Sequence, residues 1–151
     1  LARPDGPNAA PVDTAELVRF PTWFRAAVMS IVGDADILPL HVAYARENRG
    51  SRLTVERLVA VVRPAAADSA LDPYRRPEAD DSDRRLSSQS SAFAMFLIER
   101  EGPDVLARLA RGYAAGMTFA AIASDFHVAP RTVEQLDESF AAWLLAQKPI
   151  Y

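Results

Sequence analysis

The sequence holds no cysteine. Disulfides, thiolate nucleophiles and cysteine-ligated zinc are therefore excluded, while the compartment stays open. It has two histidines, His41 and His127, in different segments and without the paired spacing of an H-E-x-x-H helix. Zinc takes three or four protein ligands, so each lone His reads as a surface or hydrogen-bonded residue. Glycine is scarce at 6 residues, with no phosphate-binding loop and no dinucleotide fingerprint. No apolar run reaches the roughly 18 to 20 residues that span a bilayer. Lysine is nearly missing as well, Lys148 being the one example. A formal net charge of -3 supplies no general attraction to nucleic acid or to an anionic membrane.

What remains is a chain of ordinary globular composition, 50% hydrophobic and 25% charged, with a length suited to one domain. Residues 1–12 hold three prolines and little to bury, and read as an extended arm. The helical domain then occupies 13–151. Asp13 and Glu16 are placed to cap a first turn, and Pro21 suits the first position of a helix that carries Phe24, Ala27, Val28 and Ile31 and stops at Gly33. The segment from Ile37 to Tyr44 is ambiguous; Pro39 argues against a central strand and favours a helix entered through that proline. Thr54 caps a helix with Val55, Leu58, Val59 and Val62 on its apolar face, ended by Pro64. Residues 64–85 are rich in Pro, Ala, Asp and Arg, and are expected to form a long flexible surface loop.

The second half is more regular. A helix from about Leu86 to Glu101 carries Phe93, Phe96 and Leu97, and its wide apolar stripe implies deep burial. Gly102-Pro103 leads to a helix with Leu106, Leu109 and Tyr113. Thr118 caps a short helix bearing Phe119, Ile122 and Phe126, and a last helix from Pro130 or Thr132 presents Leu136, Phe140, Trp143 and Leu144. The expectation is an all-α single domain of six or seven helices with one long surface loop. No catalytic constellation stands out: the run Ser87-Ser88-Gln89-Ser90-Ser91 has no base beside it in sequence and reads as the polar start of a helix. Asp80, Asp81 and Asp83 lack the Gly and distal Glu of a calcium loop and read as a solvated charge run.

Two stretches are similar to one family. Phe20-Pro21-Thr22-Trp23-Phe24-Arg25-Ala26-Ala27-Val28 resembles the P-x-W-hydrophobic-x-E-G-L-A segment of peptidase MA-like zinc metallopeptidases. The run from Ser91 through Gly102-Pro103, Leu106, Gly116 and Thr118 to Phe140 and Trp143 resembles that family's helical C-terminal half. In the family the Glu of the first segment is the third zinc ligand, after an upstream H-E-x-x-H. Here Ala26 takes the place of that Glu, and the first ten residues hold no H-E-x-x-H. Loss of a ligating carboxylate removes metal affinity and the geometry that activates water. The resemblance thus implies a catalytically inactive relative without metal or cofactor, acting as a structural or protein-interaction subunit of a larger assembly. Its partner would be met through the N-terminal arm or the 64–85 loop, and it favours an extracytoplasmic location. The chain opens on Leu1 rather than Met, which points to sequence upstream.

A rival resemblance covers 118–136. Thr118-Phe-Ala-Ala-Ile-Ala-Ser-Asp-Phe-His-Val-Ala-Pro-Arg-Thr-Val133 is similar to the helix-turn-helix of LuxR-type and sigma-factor-type regulators. Charge opposes it: from Thr118 to Gln147, Arg131 stands alone against Asp125, Glu134, Asp137 and Glu138, and such a helix repels phosphates. The expectation is therefore no nucleic-acid partner.

Overall fold

The computed structural model describes residues 20–33, 35–63 and 81–148. Among them are seven α-helices and no strand: α1 Thr22–Gly33, α2 Leu38–Glu47, α3 Val55–Ala60, α4 Asp81–Glu101, α5 Val105–Ala114, α6 Phe119–Ala123 and α7 Val133–Ala146, with 3-10 turns at Ala35–Ile37 and Arg49–Ser51. The all-α expectation holds. The 1–12 arm, the Asp13 cap and most of the 64–85 segment lie outside the described residues.

Local sequence rules account for most helix starts. Thr54, Thr118 and Thr132 each sit in extended backbone and accept a hydrogen bond from the N–H three residues on, which satisfies one of the orphan donors of the first turn. Pro39 stands in the first turn of α2, where its missing N–H costs nothing. The ambiguous segment is thus a helix. At the end of α5, Gly116 adopts φ +84°; its N–H bonds the Tyr113 carbonyl and the Met117 N–H bonds that of Gly112, both at 2.9 Å. This closure needs a left-handed residue, which glycine supplies without strain.

α4 is the central post. α1 and α2 pack along it, and α5 and α7 meet its C-terminal half. Its core is aromatic: Phe93 lies 5.2 Å from Trp23 and 5.2 Å from Phe140, and Phe96 lies 5.8 Å from Trp143. Trp23, Phe93, Phe96 and Phe140 are fully buried; edge-to-face packing of such rings adds to the area they remove from water. Trp143 and Leu144 belong to this core, as their helical spacing suggests.

Three boundaries differ from the sequence expectation. The Thr54 helix stops at Ala60, so Val62 leaves its apolar face and is 88% exposed. The reason is tertiary: the Arg63 N–H donates to Thr22 Oγ1 at 2.9 Å and the Arg25 guanidinium donates to the Arg63 carbonyl at 2.9 Å, which draws 61–63 out along α1. α4 begins at Asp81 rather than near Leu86, so the expected loop ends earlier than Arg85. Asp81 and Asp83 suit a helix N-terminus, and Asp83 pairs with Arg63 at 2.7 Å instead of standing in a solvated run. Phe126, placed on the short helix by its spacing, lies beyond α6 yet is buried.

Candidate functional site

Ala26, singled out by the sequence resemblance, lies on the core-facing side of α1 and is fully buried. Its surroundings hold an unexpected polar cluster. Ser30, one turn further along α1, donates to the Ala26 carbonyl at 3.3 Å and accepts from Ser91 at 3.0 Å. His41 of α2 reaches both sides: Nε2 lies 3.4 Å from Ser30 Oγ and Nδ1 lies 3.1 Å from Ser88 Oγ. A neutral imidazole with its proton on Nε2, donating to Ser30 and accepting from Ser88, satisfies these contacts together. His41, Ser87, Ser88, Ser90 and Ser91 show no exposed surface. Burial lowers the His41 pKa from 6.5 to about 4, because the charged ring would lose its hydration.

The serine run is therefore not a polar helix start. It lies within α4 and packs inward, and a base does stand beside Ser88, brought by α2 from 47 residues away. The pair is no nucleophile–base dyad in working form, because nothing of it meets solvent and a substrate has no path to it. The signal available in sequence was the register of Ser87 and Ser91 with Ala94 at helical spacing, which marks them as inward-facing.

A second polar centre organises the 124–132 segment. The Glu101 carboxylate accepts backbone N–H groups of His127, Val128 and Ala129 at 2.7 to 2.9 Å and pairs with Arg108 at 2.7 Å. Burial alone would raise its pKa, but these donors outweigh that and hold it at about 2. His127 thus contributes its backbone, and its side chain neighbours no ligand pair. The connection from α6 to α7 runs from Ser124 to Thr132, longer than the roughly three- or four-residue turn of a helix-turn-helix.

Among the described residues an open groove of about 780 Å³ lies between α3, α7 and the α5–α6 turn. Val59, Tyr113, Met117, Phe119 and Val133 form an apolar floor, and Glu56, Glu134 and Glu138 stand on the rim. Tyr113 accepts the Trp23 indole N–H at 3.2 Å, and burial raises its pKa. Asp137 lines one wall but is already engaged, by Arg52 at 2.7 and 3.2 Å and by the Val55 N–H at 2.8 Å. The Arg52 hydrogen bonds, opposed by burial and helped by the Val55 N–H, lower its pKa. Glu56, Glu134 and Glu138 have no such partner. No basic residue is found among the described residues that line the groove.

Among the described residues no three His, Asp or Glu side chains converge, and the buried methyl of Ala26 offers no donor atom. The described residues do not fit zinc. No single helix among the described residues is long and apolar enough to cross a membrane. No protein-family model, curated protein or solved structure matches this chain.

Proposed function

We propose that the chain is a catalytically inactive helical domain on a peptidase MA-like scaffold, serving as a structural or protein-interaction subunit of a larger assembly. The observation that carries this reading is Ala26. At the position of the family's zinc-binding Glu stands a methyl group sealed in the core, beside serines and a histidine that bond one another. A glutamate carboxylate placed there would meet apolar neighbours and a neutral cluster, and burying it unpaired costs several kcal/mol.

The helix-turn-helix reading of 118–136 draws less support. The helix that would enter the major groove opens with Glu134, Asp137 and Glu138, and their charge opposes phosphate contact.

Elemental analysis of the purified chain after dialysis against zinc tests the proposal. The expected result is metal far below one equivalent, unchanged in an Ala26→Ser variant. Tightly held, stoichiometric zinc would overturn it. A mobility-shift assay on random duplex at low salt is expected to show no complex, and a salt-sensitive complex would move the balance to the DNA-binding reading.

A further inference from the structure

We infer that the groove between α3, α7 and the α5–α6 turn receives a cationic, amphipathic segment of a partner protein. The inference rests on the interaction-subunit reading and names the chemistry of the partner.

The floor gives the driving force. Met117 is 39% exposed beside Val59 and Val133, which are half-buried, so a covering apolar face removes this surface from water. The rim gives the sign. Glu134 and Glu138 are four residues apart on α7, so they are neighbours on one helix face and repel. The chain pairs its inward acids: Asp83 with Arg63 and Glu101 with Arg108, and on the groove wall Asp137 with Arg52. The three rim glutamates lack that relief. Lysine or arginine side chains with apolar stems satisfy floor and rim together, the stems lying on the floor and the charged heads reaching the glutamates.

Two other segments of the chain have the wrong charge for this role. Residues 1–19 carry Arg3 and Arg19 against Asp5, Asp13 and Glu16, and residues 64–80 carry Arg75 and Arg76 against Asp68, Asp72, Glu78 and Asp80. Both are net acidic, like the rim, so neither offers the complementary charge, and the inference assigns it to a partner protein.

The test uses the full chain and a fluorescein-labelled amphipathic peptide of leucine and lysine at helical spacing, with a matched peptide bearing glutamate for lysine. Fluorescence anisotropy is expected to show saturable, salt-sensitive binding of the lysine peptide and none of the glutamate peptide. Reversal at the rim, Glu134→Lys with Glu138→Lys, is expected to weaken binding by about tenfold or more. An equal reversal at exposed sites outside the groove lining, Asp36→Lys with Asp81→Lys, should leave it within about twofold. Met117→Asp on the floor is expected to weaken it by about fivefold or more. Circular dichroism establishes that each variant is folded. Equal loss from the distant and rim reversals, or no preference for lysine over glutamate, overturns the inference. So does sedimentation showing that the chain self-associates through this face. These outcomes are separate from the zinc measurement: a metal-free chain that ignores the peptide loses only the groove assignment, whereas stoichiometric zinc removes the reading on which it rests.

Discussion

The buried centres and the open groove handle polar groups in opposite ways. Around His41 and around Glu101, most polar atoms taken out of water are matched to partners from distant parts of the chain, Ser90 Oγ and Arg108 Nε being buried without a hydrogen bond: α1, α2 and α4 meet at His41, and α4, α5 and the 127–129 backbone meet at Glu101. In the groove, three carboxylates remain at the surface unpaired above an apolar floor. A satisfied buried network fixes how helices pack, because a partial network is costlier than none. Unpaired like charges around exposed apolar surface gain little for the fold beyond the helix-terminus interactions of Glu56 and Glu134. On the reading proposed above, the contrast separates residues kept for structure from residues kept for recognition.

The largest test of that contrast is Glu101→Ala. It strands three backbone N–H groups and the Arg108 guanidinium in a buried setting, and is expected to cost about 3 to 5 kcal/mol, read as a lowered denaturation midpoint in urea. If the centre is structural, lysine-peptide affinity at temperatures where the variant is folded stays within about twofold of the parent.

Acid titration resolves the two buried centres from each other. His41 has a folded pKa of about 4, below the ordinary 6.5. The unfolded chain therefore takes up its proton first, so this contribution to stability is complete above about pH 6.5 and is lost as pH falls towards 4. The loss amounts to about 3 kcal/mol. Glu101, held at about 2 against an ordinary 4.5, contributes stability present above about pH 4.5 and lost as pH falls towards 2. Urea unfolding across pH 7.5 to 2.5 should show two successive declines. His41→Asn should flatten the first and leave the second, and Glu101→Ala should do the reverse. One decline, unaffected by either variant, would show that these networks do not set the acid response.

Gly112→Ala probes the packing beneath the groove. A Cβ there would stand 2.5 Å from Ile122 Cγ1, so the Ile122 side chain must leave its place or α6 must shift away from α5. The expected cost is about 1 to 3 kcal/mol, with a loss of lysine-peptide affinity if Met117 and Phe119 move with the turn. Unchanged stability and affinity would mean that the Ile122 side chain turns aside and the turn stays in place.

How far the sequence revealed all this follows the range of the interactions. Helix caps at Thr54, Thr118 and Thr132, and the aromatic stripe on α4, are local and were legible, as was the all-α fold. The stop of α3 at Ala60 was not, because Thr22 and Arg25 set it from about 40 positions away. His41 could be read as a hydrogen-bonded residue, but its partners Ser30 and Ser88 come from separate helices, and the serine run was read as polar for want of that contact. The groove was illegible for the same reason: Glu56 and Glu138 are brought to one rim by the packing of α3 on α7.

The smallest expected effect is the one that divides the two regions most cleanly. Glu134→Gln with Glu138→Gln keeps the size and helix preference of both side chains and removes the i,i+4 repulsion on α7. Loss of the Glu134 charge also gives up a favourable interaction with the helix N-terminus, so the net change is small. We expect a stability gain of up to about 0.5 kcal/mol, together with an affinity loss for the lysine peptide of about fivefold or more. Opposite signs in one variant are the mark of charges retained for recognition at a cost to the fold. A loss of stability comparable with that of Glu101→Ala would instead place the groove acids among the structural network, and the distinction between the two regions would fall.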